Sequence, residues 1–359
     1  MAEASSTVAA PLHLCLPDEV VIWEIRVRLP PTSLLRCRAV CRGWHRATST
    51  REFLLAHHDR QPCLPLLYNY DYDHSDIVHF DHRAGVAAAD QLHSVAQLGS
   101  AFFDLEATCD GLLVLSDHSN QLYVYNPATR QFASLQHTSG FIILGMYPHH
   151  NTGEYRLLLY RESVDEDAYH VFALGSCQPP RNIGIWYPES PDGVTNAPVP
   201  ILFRGSLHSH LEQHESGSNL IMVFDTMAES CWQMHSPVRG SPSLLFEMDG
   251  MLAMYSLYAA ATVIDIWVLQ DYKTVAWAFK CRVQLPVEEM RVFQKFTSDL
   301  DVMVMSSDDD VLVLVLSGGW LLQIDINGKL VNGFLRERLG FTPLRLKQTL
   351  VLHNFFPTQ

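Results

Sequence analysis

The sequence lacks most of the marks that announce a chemistry. Its eight cysteines, Cys15, Cys37, Cys41, Cys63, Cys109, Cys177, Cys231 and Cys281, include no Cys-x-x-Cys pair, so zinc-ligand spacing is absent. A chain of 359 residues needs no disulfide framework, and reduced thiols in the cytosol or nucleus are the economical reading. No apolar run approaches the ~20 residues of a membrane span. The longest, Val311–Leu316, is strand-length. Basic residues are few, 25 Lys and Arg against 39 Asp and Glu, for a net charge of −14 at pH 7. That disfavours binding to a nucleic acid backbone or an anionic membrane. No glycine-rich loop leads into Lys and Ser/Thr, so the NTPase phosphate cradle is missing, and no Gly-x-Ser-x-Gly elbow marks a serine hydrolase. Met1–Pro11 has no Lys or Arg ahead of its weak apolar stretch, unlike a signal peptide. Residues 1–14 are expected to be a disordered tail.

What is present is a core. Hydrophobic residues make up 48% and charged residues 18%, a balance that suits a globular chain. The length allows one large domain and a small one. Leu16–Pro17–Asp18–Glu19 reads as a helix start, with proline at its first position and acids in the first turn. Val21, Ile25 and Leu29 then recur every four residues, which predicts one apolar face. Pro30–Pro31 stops that helix, and Thr32 or Ser33 can cap a second. Its apolar face would hold Leu34, Cys37, Cys41 and Trp44, with Val40 beside them. Arg38, Arg42 and Arg46 would face solvent or an acidic partner. Ser49 and Glu52 fit a capping box for a third helix containing Phe53 and Leu54, with His57–His58 at its surface. Three short helices bury little of their own surface. Leu16, Leu29, Leu34, Leu35 and Trp44 exceed what they can hide, so part of this apolar surface is expected to be an interface.

These residues carry a resemblance. Leu16–Pro17, Glu24–Ile25, Arg28–Leu29–Pro30, Ser33–Leu34, Val40–Cys41–Arg42–Gly43–Trp44 and Phe53 resemble an F-box in order and spacing across residues 15–60. The resemblance implies docking onto a Skp-type adaptor that joins a cullin–RING ubiquitin ligase. The implied adaptor-binding positions are Leu16, Pro17, Val20, Ile25, Leu29, Pro30, Leu34 and Val40. Val21, Cys41, Trp44 and Phe53 would form the F-box core. Arg26 departs from the pattern, which has leucine there. Its stem can cover apolar surface while its head stays wet, and Arg26→Leu is expected to tighten adaptor binding.

From about Pro62 the pattern changes to short apolar strands broken by turns. Gly111–Leu115 with Gln121–Tyr125, Leu220–Phe224, Val263–Leu269 and Trp320–Asp325 repeat a grammar of strand, polar turn, strand. An aromatic follows the turn, as at Phe132, Trp232 and Trp277. Tyr155–Tyr160 and Tyr169–Leu174 make another pair, and Asn327–Gly328 is a hairpin turn. The units recur at roughly 45–55 residues, the range of propeller blades. The expected fold is therefore a small all-α three-helix unit followed by an all-β domain over residues 61–359, an irregular β-propeller of about six blades. Thr349–Phe356 is expected to pair with the first blade and close the ring. Trp232, Trp277 and Trp320 are expected in the core.

Cys109–Asp110–Gly111–Leu112, Tyr125–Asn126–Pro127–Ala128–Thr129, Val223–Phe224–Asp225 and Ile266–Trp267–Val268–Leu269 resemble the F-box-associated domain of plant F-box proteins. In that family this domain recruits proteins for ubiquitination. The implied function is the substrate-recognition subunit of an SCF-type ligase, non-catalytic, with an unknown protein substrate. Glu162–Ala168, Gln178–Val199 and His208–Ser218 are the longest candidate recognition loops. His208, His210 and His214 read as solvated loop residues rather than metal ligands, and Asp308–Asp309–Asp310 as a hairpin turn rather than a cation site. No cofactor or metal is expected. Two rivals remain: an enzyme built on the propeller, with His, Tyr, Cys or carboxylates converging at its channel, and a scaffold that never reaches a ligase.

Overall fold

A computed structural model describes residues 16–70, 75–84, 91–97, 103–161, 168–185, 199–211, 220–238, 243–258, 262–293, 300–307 and 310–357. The tail 1–14, His214 and Asp308–Asp309 lie outside the described residues, as do most of the expected recognition loops. The chain divides into two units, Met1–Pro62 with Thr349–Leu352, and Cys63–Gln348 with His353–Gln359.

In the first unit α1 (Asp18–Val20) runs into a π turn (Val21–Ile25) and a 3-10 turn (Arg26–Arg28). A π turn inserts an extra residue into the helical phase. The spacing of four predicted Val21, Ile25 and Leu29 on one face, but the shift buries Arg26 and Val27 and turns Ile25 outward. The expected second helix is two. α2 (Pro31–Arg38) ends where the Ala39 and Val40 amides fold back onto Arg36 and Cys37. Cys41 is extended and caps α3 (Arg42–Thr48), its Sγ accepting from the Trp44 amide at 3.4 Å. Arg38 turns inward instead of meeting solvent, donating from Nε to Thr48 Oγ1 at 3.2 Å and from Nη2 to the Thr48 carbonyl. α4 (Arg51–Arg60) is capped by Thr50, one residue after the expected Ser49. His57 and His58, expected at the surface, are buried. For His57 the cause is a polar partner: the Leu29 carbonyl accepts from His57 Nε2 at 2.8 Å and from Gln61 Nε2 at 3.1 Å.

The second unit is a propeller of six four-stranded antiparallel sheets. Blade 1 holds β1 (Cys63–Tyr70), β2 (Ser75–Phe80) and β3 (Leu92–Gln97). Blade 2 is β4 (Phe103–Cys109), β5 (Leu112–Asp117), β6 (Leu122–Asn126) and β7 (Gln131–Leu135). Blade 3 is β8 (Ile142–His149), β9 (Glu154–Arg161), β10 (Ala168–Ala173) and β11 (Arg181–Gly184). Blade 4 is β12 (Ile201–Phe203), β13 (Ser206–Leu211), β14 (Leu220–Asp225) and β15 (Ser230–His235). Blade 5 is β16 (Ser243–Met248), β17 (Met251–Tyr258), β18 (Val263–Asp271) and β19 (Ala276–Gln284), followed by the short helix α5 (Val287–Met290). Blade 6 is β20 (Asp301–Ser307), β21 (Asp310–Ser317), β22 (Trp320–Asp325) and β23 (Leu330–Leu335). Finally β24 (Leu339–Lys347) pairs antiparallel with β1 and completes blade 1 as its innermost strand. The ring therefore closes one segment earlier than the expected Thr349–Phe356. Of that stretch, Phe355 and Phe356 pack instead into the layer between blades 2 and 3.

The core is a set of layers, one between each pair of adjacent blades. On β5, Leu113 and Leu115 face blade 1 while Leu112 and Val114 face blade 3. On β21, Val311, Val313 and Val315 face blade 5, and Leu314 and Leu316 face blade 1. Burial on both faces is why these strands read as continuous apolar runs rather than as alternation. Each layer also has a polar stitch. Tyr68 Oη accepts from the Leu105 amide at 2.7 Å, and Tyr155 Oη donates to Asp110 at 3.0 Å. Arg156 pairs with Glu229 at 2.6 Å, His208 Nε2 meets Tyr272 Oη at 2.7 Å, Tyr255 Oη donates to the Val302 carbonyl at 3.2 Å, and Gln323 donates to Gln91 at 2.6 Å.

His208 and His210 were expected in a solvated loop; they lie on β13 and are buried. Trp232, expected in the core, is 37% exposed on the outermost strand β15. Outermost strands have one neighbour, so an aromatic there is only partly covered. Trp320 is half-buried against Phe293, ring centroids 4.8 Å apart. Trp277 is half-buried and donates from Nε1 to the His235 carbonyl at 3.1 Å.

Candidate functional site

The first unit presents apolar side chains without covering them. Leu16 is 57% and Val40 66% exposed, and Val20, Ile25 and Leu35 are also exposed. Pro17 and Pro30 are exposed and Leu29 is half-buried. The π turn explains Ile25, because the phase advance that buries Val27 rotates Ile25 out. The turn between α2 and α3 explains Val40, which is held at the bend by the hydrogen bond its amide donates to the Cys37 carbonyl. The Leu29–Pro30 corner is fixed from α4 by the His57 and Gln61 bonds to the Leu29 carbonyl. Burial holds the His57 pKa down, the bond to the Leu29 carbonyl opposing it.

Two expected positions move. Leu34, expected to face an adaptor, is fully buried, because it lies on the inner face of α2. Cys41, expected in the core, is exposed and acts as a helix cap. Phe53 is fully buried, packing 5.5 Å from the Trp23 ring. Val21 and Trp44 are half-buried. Leu35, adjacent to Leu34 and pointing the other way, is the exposed apolar group of α2. Its sequence signal was the apolar excess alone.

Arg26 does not keep its head wet. It is 3% exposed, with its guanidinium 3.1 Å from the centroid of the Trp44 ring. A cation over an indole face is attractive when both are desolvated. Nη1 nevertheless finds no hydrogen-bond acceptor. Burial lowers the Arg26 pKa, while Cys37, Cys41 and Asp18 oppose the shift. Arginine thus occupies an interior position rather than the exposed apolar surface.

The two ends of the propeller differ. At one end the turns are short and locally specified. Asp110–Gly111, Arg204–Gly205 and Asp249–Gly250 are turns with both central φ values positive. Asn126, Asp225, Asp271 and Asp325 end their strands by accepting from amides two residues on, at 3.0, 2.8, 2.9 and 2.9 Å. These side-chain turns are the physical content of the repeated polar grammar. The connections β9–β10, β11–β12 and β13–β14 belong to the other end, and the expected recognition loops fall there.

No group of three or more His, Cys, Asp or Glu among the described residues is placed to hold a metal ion. The seven described cysteines are free thiols. Burial pushes His208 and His210 down to about 4. Burial alone would raise the Glu229 carboxyl, but hydrogen bonds from Arg181 and Arg156 hold it below its ordinary value.

Comparison with known families decides the identity of both units. Residues 13–61 match the F-box-like family, and residues 46–316 match the F-box associated beta propeller domain. The chain belongs to the F-box proteins with an F-box-associated propeller. Curated relatives agree. An Arabidopsis thaliana F-box protein, At5g49610, is 23% identical over 73% of this chain and 77% of its own length. Another, At3g07870, is 30% identical over 40% of this chain and 36% of its own length. A third, At5g18160, is 23% identical over 74% of this chain and 69% of its own length. An F-box protein is in general a non-catalytic substrate adaptor. Its F-box meets an adaptor-type partner, and its propeller binds the substrate.

Proposed function

We propose that this F-box protein is the substrate-recognition subunit of an SCF-type cullin–RING ubiquitin ligase. The observation that supports it best is the exposed apolar set Leu16, Val20, Ile25, Leu35 and Val40, concentrated within the F-box match. These side chains, with Pro17, Leu29 and Pro30, dock a Skp-type adaptor. Leu34 supports them from beneath. The propeller holds a target protein so that its lysines reach the ubiquitin-loaded enzyme elsewhere in the complex. The contribution is proximity, a raised effective concentration of two proteins. No residue of the chain performs chemistry. The complex works in the cytosol or nucleus, where its free thiols stay reduced.

Co-purification with a Skp-type adaptor tests the reading. Ile25→Asp/Val40→Asp should abolish capture while leaving the thermal unfolding profile unchanged, because both side chains are exposed. Capture that is absent from the natural chain, or equal in the double variant, rejects the proposal.

A further inference from the structure

Cys37 and Cys41 are four residues apart, whereas every other pair of the chain's cysteines is separated by at least 22. They bracket the bend between α2 and α3. Cys37 lies in the last turn of α2 and is half-buried. The Val40 amide closes the bend onto the Cys37 carbonyl at 3.1 Å. Cys41 is exposed and extended, with φ of −154°, and its Sγ accepts from the Trp44 amide at 3.4 Å. Val40, 66% exposed, therefore rides on the short link between the two thiols.

The surroundings are electropositive. Residues 31–48 hold four arginines and no acid. Arg26 reaches into the same place from the preceding turn, its guanidinium over the Trp44 ring and so beside the amide that Cys41 caps. Arg26 is 3% exposed, and its Nη1 has no hydrogen-bond acceptor. A buried donor left unmade is costly, so the site holds a cation that lacks an acceptor. Burial depresses the Arg26 pKa, and against it act Cys37, Cys41 and Asp18, in that order. The two sulfurs are thus the nearest source of the missing negative charge. Cysteines open to oxidants lie in electropositive, partly exposed surroundings of this kind. Cys109, by contrast, is buried, and burial pushes its thiol up.

We propose that Cys41 is a peroxide-sensitive modification site that Cys37 resolves as a disulfide. The Cys41 thiolate attacks one oxygen of hydrogen peroxide and the O–O bond breaks. The sulfur is oxidised to sulfenic acid, and the other oxygen leaves as hydroxide. The Cys37 thiol then attacks the Cys41 sulfur, forming the S–S bond and releasing the sulfenic oxygen as water. In sum two thiols and one peroxide give one disulfide and two waters, with two electrons passing from sulfur to oxygen. Arg26 offers its unmet donor to the charged sulfur and to the sulfenic oxygen. The new bond draws Cys41 off the Trp44 amide and moves Val40 within the docking surface, so oxidation weakens adaptor capture. That last consequence rests on the function proposed above; the oxidation of the pair does not.

The test treats the reduced full chain with a stoichiometric dose of hydrogen peroxide, then applies alkylation, trypsin digestion and mass spectrometry. Trypsin cuts after Arg36, Arg38 and Arg42, so the disulfide appears as Cys37–Arg38 joined to Ala39–Arg42. The joined peptide should form at least fivefold faster than Cys177, which is also exposed, is oxidised. Cys41→Ser, which keeps a capping oxygen, should abolish it. Cys37→Ser should leave Cys41 as a sulfenic acid that dimedone traps. Arg26→Leu should slow the reaction at least fivefold. Adaptor capture, measured on the same preparations, should fall at least tenfold on oxidation and return with dithiothreitol, whereas Cys41→Ser should capture equally before and after peroxide. Absence of the joined peptide, oxidation of Cys41 no faster than that of Cys177, an unchanged rate in Arg26→Leu, or capture equal in the reduced and disulfide-bonded chain overturns the proposal. Capture without the joined peptide sinks the redox pair alone. A joined peptide in a chain that captures no adaptor even when reduced sinks the ligase reading alone.

Discussion

Between residues 16 and 60 the F-box leaves Leu16, Val20, Ile25, Leu35, Val40 and Leu55 exposed. The propeller, several times longer, scatters its exposed large apolar groups over different outer strands, as Phe132 on β7, Trp232 on β15, Phe279 on β19 and Val331 on β23. Elsewhere the middle strands bury both faces between neighbouring blades, and the pairing of β24 with β1 closes the ring. Four short helical segments have no such second layer. Their small core, built around Phe53, Val27 and Leu34, leaves apolar surface over. The difference separates a domain complete by itself from one whose surface awaits a partner.

The comparison can be broken most directly at Phe53. Phe53→Ala should cost the helical unit about 3–5 kcal/mol. Calorimetry should show the propeller transition in place while adaptor capture is lost. A propeller transition that moves with it would mean that the two units are not independent.

The propeller should in turn respond to acid where the F-box does not set the midpoint. His208 and His210 are buried neutral, with pKa values near 4 against 6.5 for the free side chain. Protons then bind more readily to the unfolded chain between those values. The stabilisation is full above pH 6.5 and is lost as pH falls toward 4, by roughly 3 kcal/mol for each histidine. Thermal scans across that range should show the decline, and His210→Leu should make it shallower, leaving the part due to His208. A pH-independent propeller midpoint would contradict the burial of both rings.

Arg26→Leu gives a smaller effect. It removes a buried guanidinium nitrogen that has no acceptor and forfeits the contact with Trp44. The F-box should gain about 1 kcal/mol, since an unsatisfied buried donor costs more than the ring contact returns. Adaptor affinity should stay within about twofold, because Arg26 is not on the exposed surface. This revises the sequence-based expectation that the same change tightens binding. Smallest of all is Val275→Gly, in the turn between β18 and β19. Val275 has φ of +54°, unusual for a β-branched residue. Relief of that strain should stabilise the propeller by about 0.5–1 kcal/mol and raise its midpoint, with no change in adaptor capture.

The sequence made the architecture legible wherever local chemistry sets geometry. Asn126, Asp225, Asp271 and Asp325 announced turns because their side chains build those turns. The apolar runs on β5 and β21 announced strands buried on both faces. What stayed hidden depended on phase or on distant partners. The π turn that exposes Ile25 has no propensity signature. The extended Cys41 that splits one expected helix into α2 and α3 was masked by an apolar spacing that fits a continuous helix equally well. His57 and His208 looked solvated because their partners, the Leu29 carbonyl and Tyr272, lie 28 and 64 residues away. The exposed F-box residues could be named from the motif, but Leu34 and Leu35 could not be told apart without the helix in place.

The closing strand sets an order of events during synthesis. β1 leaves the ribosome early, but the innermost strand of its own blade, β24, is made only after the other five blades. At about 5–20 residues per second, β1 to β3 wait some tens of seconds with an open edge. Thr349–Leu352, which group with the helical unit, emerge later still. A nascent chain therefore finishes its receptor ring and its F-box within a few residues of each other. A ribosome stalled before β24 would display an unpaired β1, an edge that quality control could recognise.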